Sequence, residues 1–186
     1  MSTPSALPAG LFSGIKEAKV NVSSEYIRPG RYLMRIDATK YLQTRKSGDG
    51  VAAEMTVVHV FDNDTGRGHS AGAEVSQLFL KKSEYFFSDV KSFVGAVMEV
   101  DPAVIGTEEA TQVFDGSNPL AGMVVEVSAR QITTQKNSVF TKVSFIRHVP
   151  PAEVLTQIGE EACERFFPQG GIYKLIQTEQ QLASAA

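Results

Sequence analysis

Alternation of hydrophobic and polar side chains predicts three strands in the first half of the chain. They cover about residues 31–44, 51–61 and 73–80, and the first follows the turn signal Pro29-Gly30. A dense cluster of turn-forming residues at 62–68 separates the second strand from the third. The length of the first two strands is typical of a curved hairpin that builds a barrel.

After residue 82 the hydrophobic spacing changes from two to about 3.6 residues, which predicts a helix with Ser83 as its N-cap. A largely polar connection at 101–119 follows. Two further strands, at about 123–133 and 139–148, form a hairpin around the turn at 135–138. The apolar residues that would face inward from the helix are Tyr85, Phe86, Val90, Phe93, Val94 and Val97.

The order β-β-β-α-β-β predicts a mainly β fold, a five-stranded Greek-key barrel of the OB type with the helix plugging one end. This barrel would occupy residues 26–149. Residues 1–25 have the composition of a flexible N-terminal arm. Residues 150–176 form a C-terminal helical extension, with a helix over about 152–166, and residues 177–186 a disordered tail.

Charge is distributed unevenly along this chain of 186 residues, which carries a net charge of -3. Residues 1–50 hold eight Lys/Arg against four Asp/Glu, residues 51–150 eight against twelve, and residues 151–186 two against five. A polyanion would therefore bind to a local basic patch, because the summed charge repels it.

Candidate chemistry for an enzyme or a metal site is missing from the sequence. There is no nucleophile with a base, no paired carboxylates and no phosphate loop, so we expect a protein that is not an enzyme. Cys163 and the three histidines are scattered singly, and we expect no disulfide, metal or cofactor. No apolar run approaches the roughly 20 residues that span a bilayer, and no secretory signal is visible, which predicts a cytoplasmic protein without membrane contact.

Binding of a single nucleic-acid strand requires cations along a groove and flat rings on which bases stack. Arg31, Arg35 and Tyr41 alternate along the first strand and are predicted to share one surface, and the next loop adds Arg45 and Lys46. Each such residue also has an ordinary explanation as a solvated charge or a packed ring. Together they favour a groove, to which the remaining strands would add Lys81, Lys82, Arg130, Lys136, Phe140, Lys142 and Arg147.

Residues 26–148 resemble phage-encoded single-stranded-DNA-binding proteins of the OB type. The resemblance lies in Gly30-Arg31-Tyr32, in the strand 51–61 with its turn Thr65-Gly66-Arg67, and in the helix after Leu78-Phe79-Leu80. It implies coating of single-stranded DNA without sequence preference in replication or recombination, in the cytoplasm of an infected bacterium. It also implies that arms or tails mediate self-association, here through the N-terminal arm. The nearly neutral end of this chain departs from the acidic tail of many such proteins.

A second hypothesis comes from a different class. A viral structural or assembly protein would use a small β-barrel and an extended arm for contacts with other proteins. The acidic balance of residues 51–186 and the apolar pair Leu11-Phe12 in the arm suit this alternative. A nuclease or other enzyme is the third reading, and no catalytic constellation supports it.

Overall fold

The computed structural model describes residues 25–44, 48–62, 66–135 and 137–185. The described residues form six strands, four α-helices and a short 3-10 helix at Pro102–Val104. The strands are β1 Glu25–Tyr26, β2 Gly30–Thr44, β3 Gly48–Asp62, β4 Glu74–Leu80, β5 Val124–Thr133 and β6 Val139–His148. The helices are α1 Phe86–Met98, α2 Thr107–Phe114, α3 Pro151–Phe166 and α4 Gly171–Ala185.

All six strands belong to one mixed sheet in the order β1-β4-β3-β2-β5-β6. Only β1 pairs in parallel, with β4, and every other neighbour is antiparallel. Three strands separate β4 from β6 in this order, yet the ring centroids of Phe79 on β4 and Phe145 on β6 are only 6.3 Å apart. The sheet therefore curls into a half-barrel.

The concave side of the half-barrel holds the larger hydrophobic core. Tyr32, Met34 and Ile36 of β2 are fully buried there, as sequence alternation predicts. Helix α1 fills the opening between the two ends of the sheet, where Phe93 contacts Phe145 at 4.9 Å between ring centroids. The predicted helix between the strands at 73–80 and 123–133 is thus confirmed, and it covers this end of the core.

The convex side carries a second core beneath α3 and α4. Leu33, Val58 and Val124 of the sheet pack there against helical residues that include Val154 and Ile172. Strand β2 is therefore buried on both faces around Leu33, whereas its alternation predicted one polar face. The difference arises because this face of β2 also carries the apolar Leu33, which the C-terminal helices cover.

Several predicted elements differ from the structure in detail. The five-stranded prediction is wrong in number, since the two residues of β1 are too short to give a periodic signal. Tyr85, and not Ser83, is the N-cap residue of α1, and the connection 101–119 contains α2. Where a disordered tail over 177–186 was expected, α4 continues to Ala185 and is anchored by the buried Ile172.

Candidate nucleic-acid interface

A β-bulge separates the three residues of the first strand that were predicted to share one surface. The register of β2 against β3 shifts between Ile36 and Ala38. Arg35 lies on the convex side, but Tyr41 pairs with Val51 and faces the concave side. The prediction of a common surface for Arg31, Arg35 and Tyr41 is wrong, because a bulge reverses the alternation beyond it.

Arg31 and Arg147 belong to a network on the convex side that we call the arginine clasp: Arg31, Glu126, Arg147 and Glu153. The nearly buried carboxylate of Glu126 accepts hydrogen bonds from Arg31 Nε at 2.8 Å and Arg147 Nε at 3.2 Å. Arg147 also donates to both oxygens of Glu153, at 2.8 and 2.5 Å. This hydrogen bonding raises the pKa of Arg147 and lowers that of Glu153. The clasp ties β2, β5, β6 and α3 together.

Arg35 also acts within the protein. Its guanidinium donates to Asp37 Oδ1 at 2.7 Å and to the backbone carbonyl of Phe166, and it lies over the ring of Phe167 at 5.7 Å. These contacts join β2 to the end of α3. A side chain with three such partners contributes to the packing of the C-terminal helices rather than to an open groove.

Predicted residues in the two loops fall outside the described part of the chain. They are Arg45 and Lys46, after β2, and Lys136, in the β5–β6 turn. Their contribution stays a prediction. The structure describes the chain up to Thr44 and again from Gly48 on either side of the first loop. On either side of Lys136 it describes the chain up to Gln135 and again from Asn137.

Tyr41, Lys81 and Lys82 lie at one end of the half-barrel, which we call the mouth. The Tyr41 hydroxyl donates to Asp49 Oδ1 at 2.7 Å, and this bond raises the pKa of the phenol. The backbone N–H of Lys81 donates to the carbonyl of the same Asp49 at 2.9 Å. Both lysines are exposed where the chain leaves β4. These three predicted residues are thus brought together.

The far part of the β5–β6 hairpin brings another set together. Arg130 is directly opposite Lys142, and Ile132 is directly opposite Phe140. Cross-strand partners and residues two apart share one side of a sheet, so these four residues form a common surface, the hairpin face. Ile132 is 37% exposed and Phe140 49% exposed. The face therefore presents two cations beside an open aromatic and aliphatic pair.

The first turns of α1 connect the hairpin face with the mouth. Burial raises the pKa of Asp89 on α1, and the nearby ammonium of Lys142 opposes that shift. On the same helix Phe87 is 72% exposed and lines a cavity together with Tyr41 and Lys91. Phe87 and Lys91 therefore place a ring and a cation of α1 beside the mouth, and Lys142 of the hairpin face lies near the same helix.

Sequence reasoning missed Ile132 on the hairpin face and Phe87 and Lys91 beside the mouth. The position of Ile132 could have been predicted from the sequence, because counting residues back across the predicted hairpin turn places it opposite Phe140. Phe87 and Lys91 had no such signal, because only the packing of α1 against the curled sheet decides which helical residues stay open.

Three further features concern the described residues only, 25–44, 48–62, 66–135 and 137–185. In these ranges no group of three or more His, Cys, Asp and Glu side chains is arranged to hold a metal ion. Nor does any helix within them have the length and apolar character needed to cross a membrane. The single cysteine, Cys163, lies on α3 and is buried in the convex core, and burial raises the pKa of its thiol.

Comparison with protein families and with curated proteins yields no relative. No protein-family model matches the chain, and no curated protein matches it significantly.

Proposed function

We propose that this protein is a non-enzymatic single-stranded-DNA-binding protein that contacts its ligand through the hairpin face. The observation that carries the proposal is the register that sets Arg130 opposite Lys142 and Ile132 opposite Phe140. A base stacks on an exposed ring whatever its identity, while cations alongside contact the phosphates. Such a surface suits coating of a strand without sequence preference.

The electrostatics of this face support the proposal. Within the described part of the chain, Arg130 is exposed and makes no ion pair, and its cross-strand neighbour is another cation. Like charges opposite one another destabilise a sheet slightly. They also create a local positive potential on a protein whose net charge is -3, which is the patch that a phosphate backbone requires.

The connectivity of the sheet supports an OB-type barrel as the framework. Leaving out β1, the strand order β4-β3-β2-β5-β6 combines a three-stranded meander with a hairpin added beside its first strand. A helix lies between the third and fourth of these strands, which suits the proposed OB arrangement. The binding cleft of an OB fold is flanked by the loops after the first strand and between the last two. Arg45, Lys46 and Lys136 occupy those two loops. A role in phage replication or recombination, a cytoplasmic location and self-association through the N-terminal arm belong to the same proposal.

A titration of labelled oligo-dT, with unlabelled duplex as competitor, tests the proposed function. We expect submicromolar to micromolar binding that weakens steeply as salt rises, because phosphate contacts release counterions. Duplex should compete poorly, since its bases are not free to stack. Absent binding, or binding insensitive to salt, would refute the proposal.

Two matched double variants locate the contact surface. Arg130→Gln with Lys142→Gln should weaken oligo-dT binding about tenfold at low salt. Arg165→Gln with Lys174→Gln removes the same charge from exposed positions on the C-terminal helices and should leave binding unchanged. Equal losses in both variants would mean that net charge, and not the hairpin face, governs binding.

A viral structural or assembly protein is the second candidate. Exposed apolar side chains away from the hairpin face favour it, among them Val104, which is 70% exposed, and Ile146 on the edge strand β6. Such side chains are typical of protein–protein contacts when they cluster. Co-purification with virus particles, without any shift of oligonucleotide, would favour this candidate over the first.

A further inference from the structure

A cavity of about 530 Å³ lies between α1, α2 and the mouth ends of β2 and β3. We call it the α1–α2 pocket. Its walls are mostly apolar and include Val51, Val90, Ile105 and Phe114. Phe87 covers part of the rim and is 72% exposed. No residue of the hairpin face or of the clasp lines this pocket.

The chemistry of the walls favours apolar side chains as occupants. The two charged residues that line it, Lys91 and Asp115, have opposite signs, so the pocket has no net attraction for phosphate. Burying apolar surface contributes about 25 cal/mol per Å², whereas the polar edges of a nucleobase would lose their hydrogen bonds to water in such a site. A peptide segment therefore fits better than a nucleotide.

One apolar segment of this chain lies outside the described residues and close to its start. Leu11 and Phe12 are adjacent, with Gly10 before them and Gly14 shortly after. Twelve residues separate Phe12 from Glu25, where β1 begins. Fully extended, they would span up to about 40 Å.

The distance that the segment must cover is shorter than its reach. Glu25 pairs with Val75 of β4. Phe79 lies four residues further along β4, roughly 13 Å away, and its ring centroid is 6.4 Å from that of Phe114 in the pocket wall. The path from Glu25 to the pocket is thus on the order of 20 Å.

We propose that Leu11 and Phe12 insert into the α1–α2 pocket of their own chain. The insertion covers the exposed ring of Phe87 and tethers the N-terminal arm beside the mouth. It is independent of DNA binding at the hairpin face.

The full-length protein and two double variants test the insertion. Leu11→Ser with Phe12→Ser removes the apolar pair, and Val20→Ser with Val22→Ser is a matched control in the same arm. Methyl NMR reports on Val51, Val90 and Ile105 in the pocket and on Leu33 and Val154 in the convex core. We expect the pocket methyls alone to shift in the first variant, and no shift in the control.

Limited trypsin cleavage after Lys16 and Lys19 provides the second measurement. Cleavage should be about tenfold faster in Leu11→Ser/Phe12→Ser than in the unmodified protein, which corresponds to docking worth about 1.4 kcal/mol. Unchanged pocket methyls and equal cleavage rates would overturn the proposal. Pocket shifts that depend on protein concentration would also overturn it, in favour of an arm from a second copy. Pocket shifts that oligo-dT alone produces in the variant would assign the pocket to a base.

Discussion

Glu126 of the arginine clasp and Arg130 of the hairpin face lie four residues apart on β5, yet the cations of the two regions have different cross-strand partners. In the clasp, Arg147 is opposite Glu126, whose nearly buried carboxylate also binds Arg31. On the hairpin face, Lys142 is opposite Arg130. A cation opposite an acidic residue forms an ion pair that stabilises the fold, as Arg147 does with Glu126. A cation opposite another cation, as Lys142 is, stays available to a ligand.

The comparison shows why a list of basic residues overestimates a binding site. Arg31, Arg35 and Arg147 were grouped with Arg130 and Lys142 because all are cationic and lie on predicted strands. The first three bind carboxylates or a backbone carbonyl in the folded protein. Part of their hydrogen-bonding capacity is therefore already used within the protein.

Removing the central acid of the clasp should produce the largest loss of stability. Glu126→Ala removes the nearly buried carboxylate that accepts hydrogen bonds from Arg31 and Arg147. Hydrogen bonds to a charged group contribute roughly 1.5–3 kcal/mol, and because both arginines are about half exposed, we expect a loss of about 2 kcal/mol in the free energy of unfolding. Chemical denaturation monitored by circular dichroism measures it. A loss below about 0.5 kcal/mol, the usual range of surface substitutions, would show that the clasp is not structural.

Removing the ring of the hairpin face should affect binding and not stability. Phe140→Ala is expected to weaken oligo-dT binding by about 1–3 kcal/mol, the range observed for loss of one stacking ring. The free energy of unfolding should change by less than about 1 kcal/mol, because half of the ring is already exposed. Phe61→Ala, which alters the ring beneath Arg31, is the control and should leave affinity intact.

Arg35 gives a smaller effect of the structural kind. Arg35→Gln removes the ion pair with Asp37 and weakens the contact with Phe166, so the free energy of unfolding should fall by about 1–2 kcal/mol. Oligo-dT affinity at low salt should stay the same. A loss of affinity without a loss of stability would return Arg35 to the binding surface.

Acid should loosen the clasp slightly before it affects the hairpin face. Hydrogen bonding to Arg147 holds the pKa of Glu153 below its ordinary value of 4.5, so the folded state favours the ionised carboxylate. That stabilisation is complete above pH 4.5 and is lost as pH falls through the lowered value. Thermal midpoints measured between pH 6 and pH 3 should fall less steeply in Glu153→Gln than in the unmodified protein. Parallel curves would contradict this assignment.

Local pattern accounts for most of the elements and only part of the site. Alternation in 31–36 correctly placed Tyr32, Met34 and Ile36 in the core. The position of Arg130, Phe140 and Lys142 on one hairpin followed from the two strands predicted around a short turn. The bulge between Ile36 and Ala38 places Tyr41 on the concave side of the sheet, and the residue types along the strand do not predict such a shift of register. The partners of Arg31, Arg35 and Arg147 depend on Glu126 and on α3, which only the folded arrangement brings within reach.

The salt dependence of oligo-dT binding tests the central claim most directly. For single strands the slope of log K against log salt concentration is roughly -0.7 per phosphate contact. Arg130→Gln with Lys142→Gln should therefore make the slope shallower by about 1.4, while Arg165→Gln with Lys174→Gln should keep the original slope. Identical slopes in all three proteins would contradict the assignment of the hairpin face as the DNA contact.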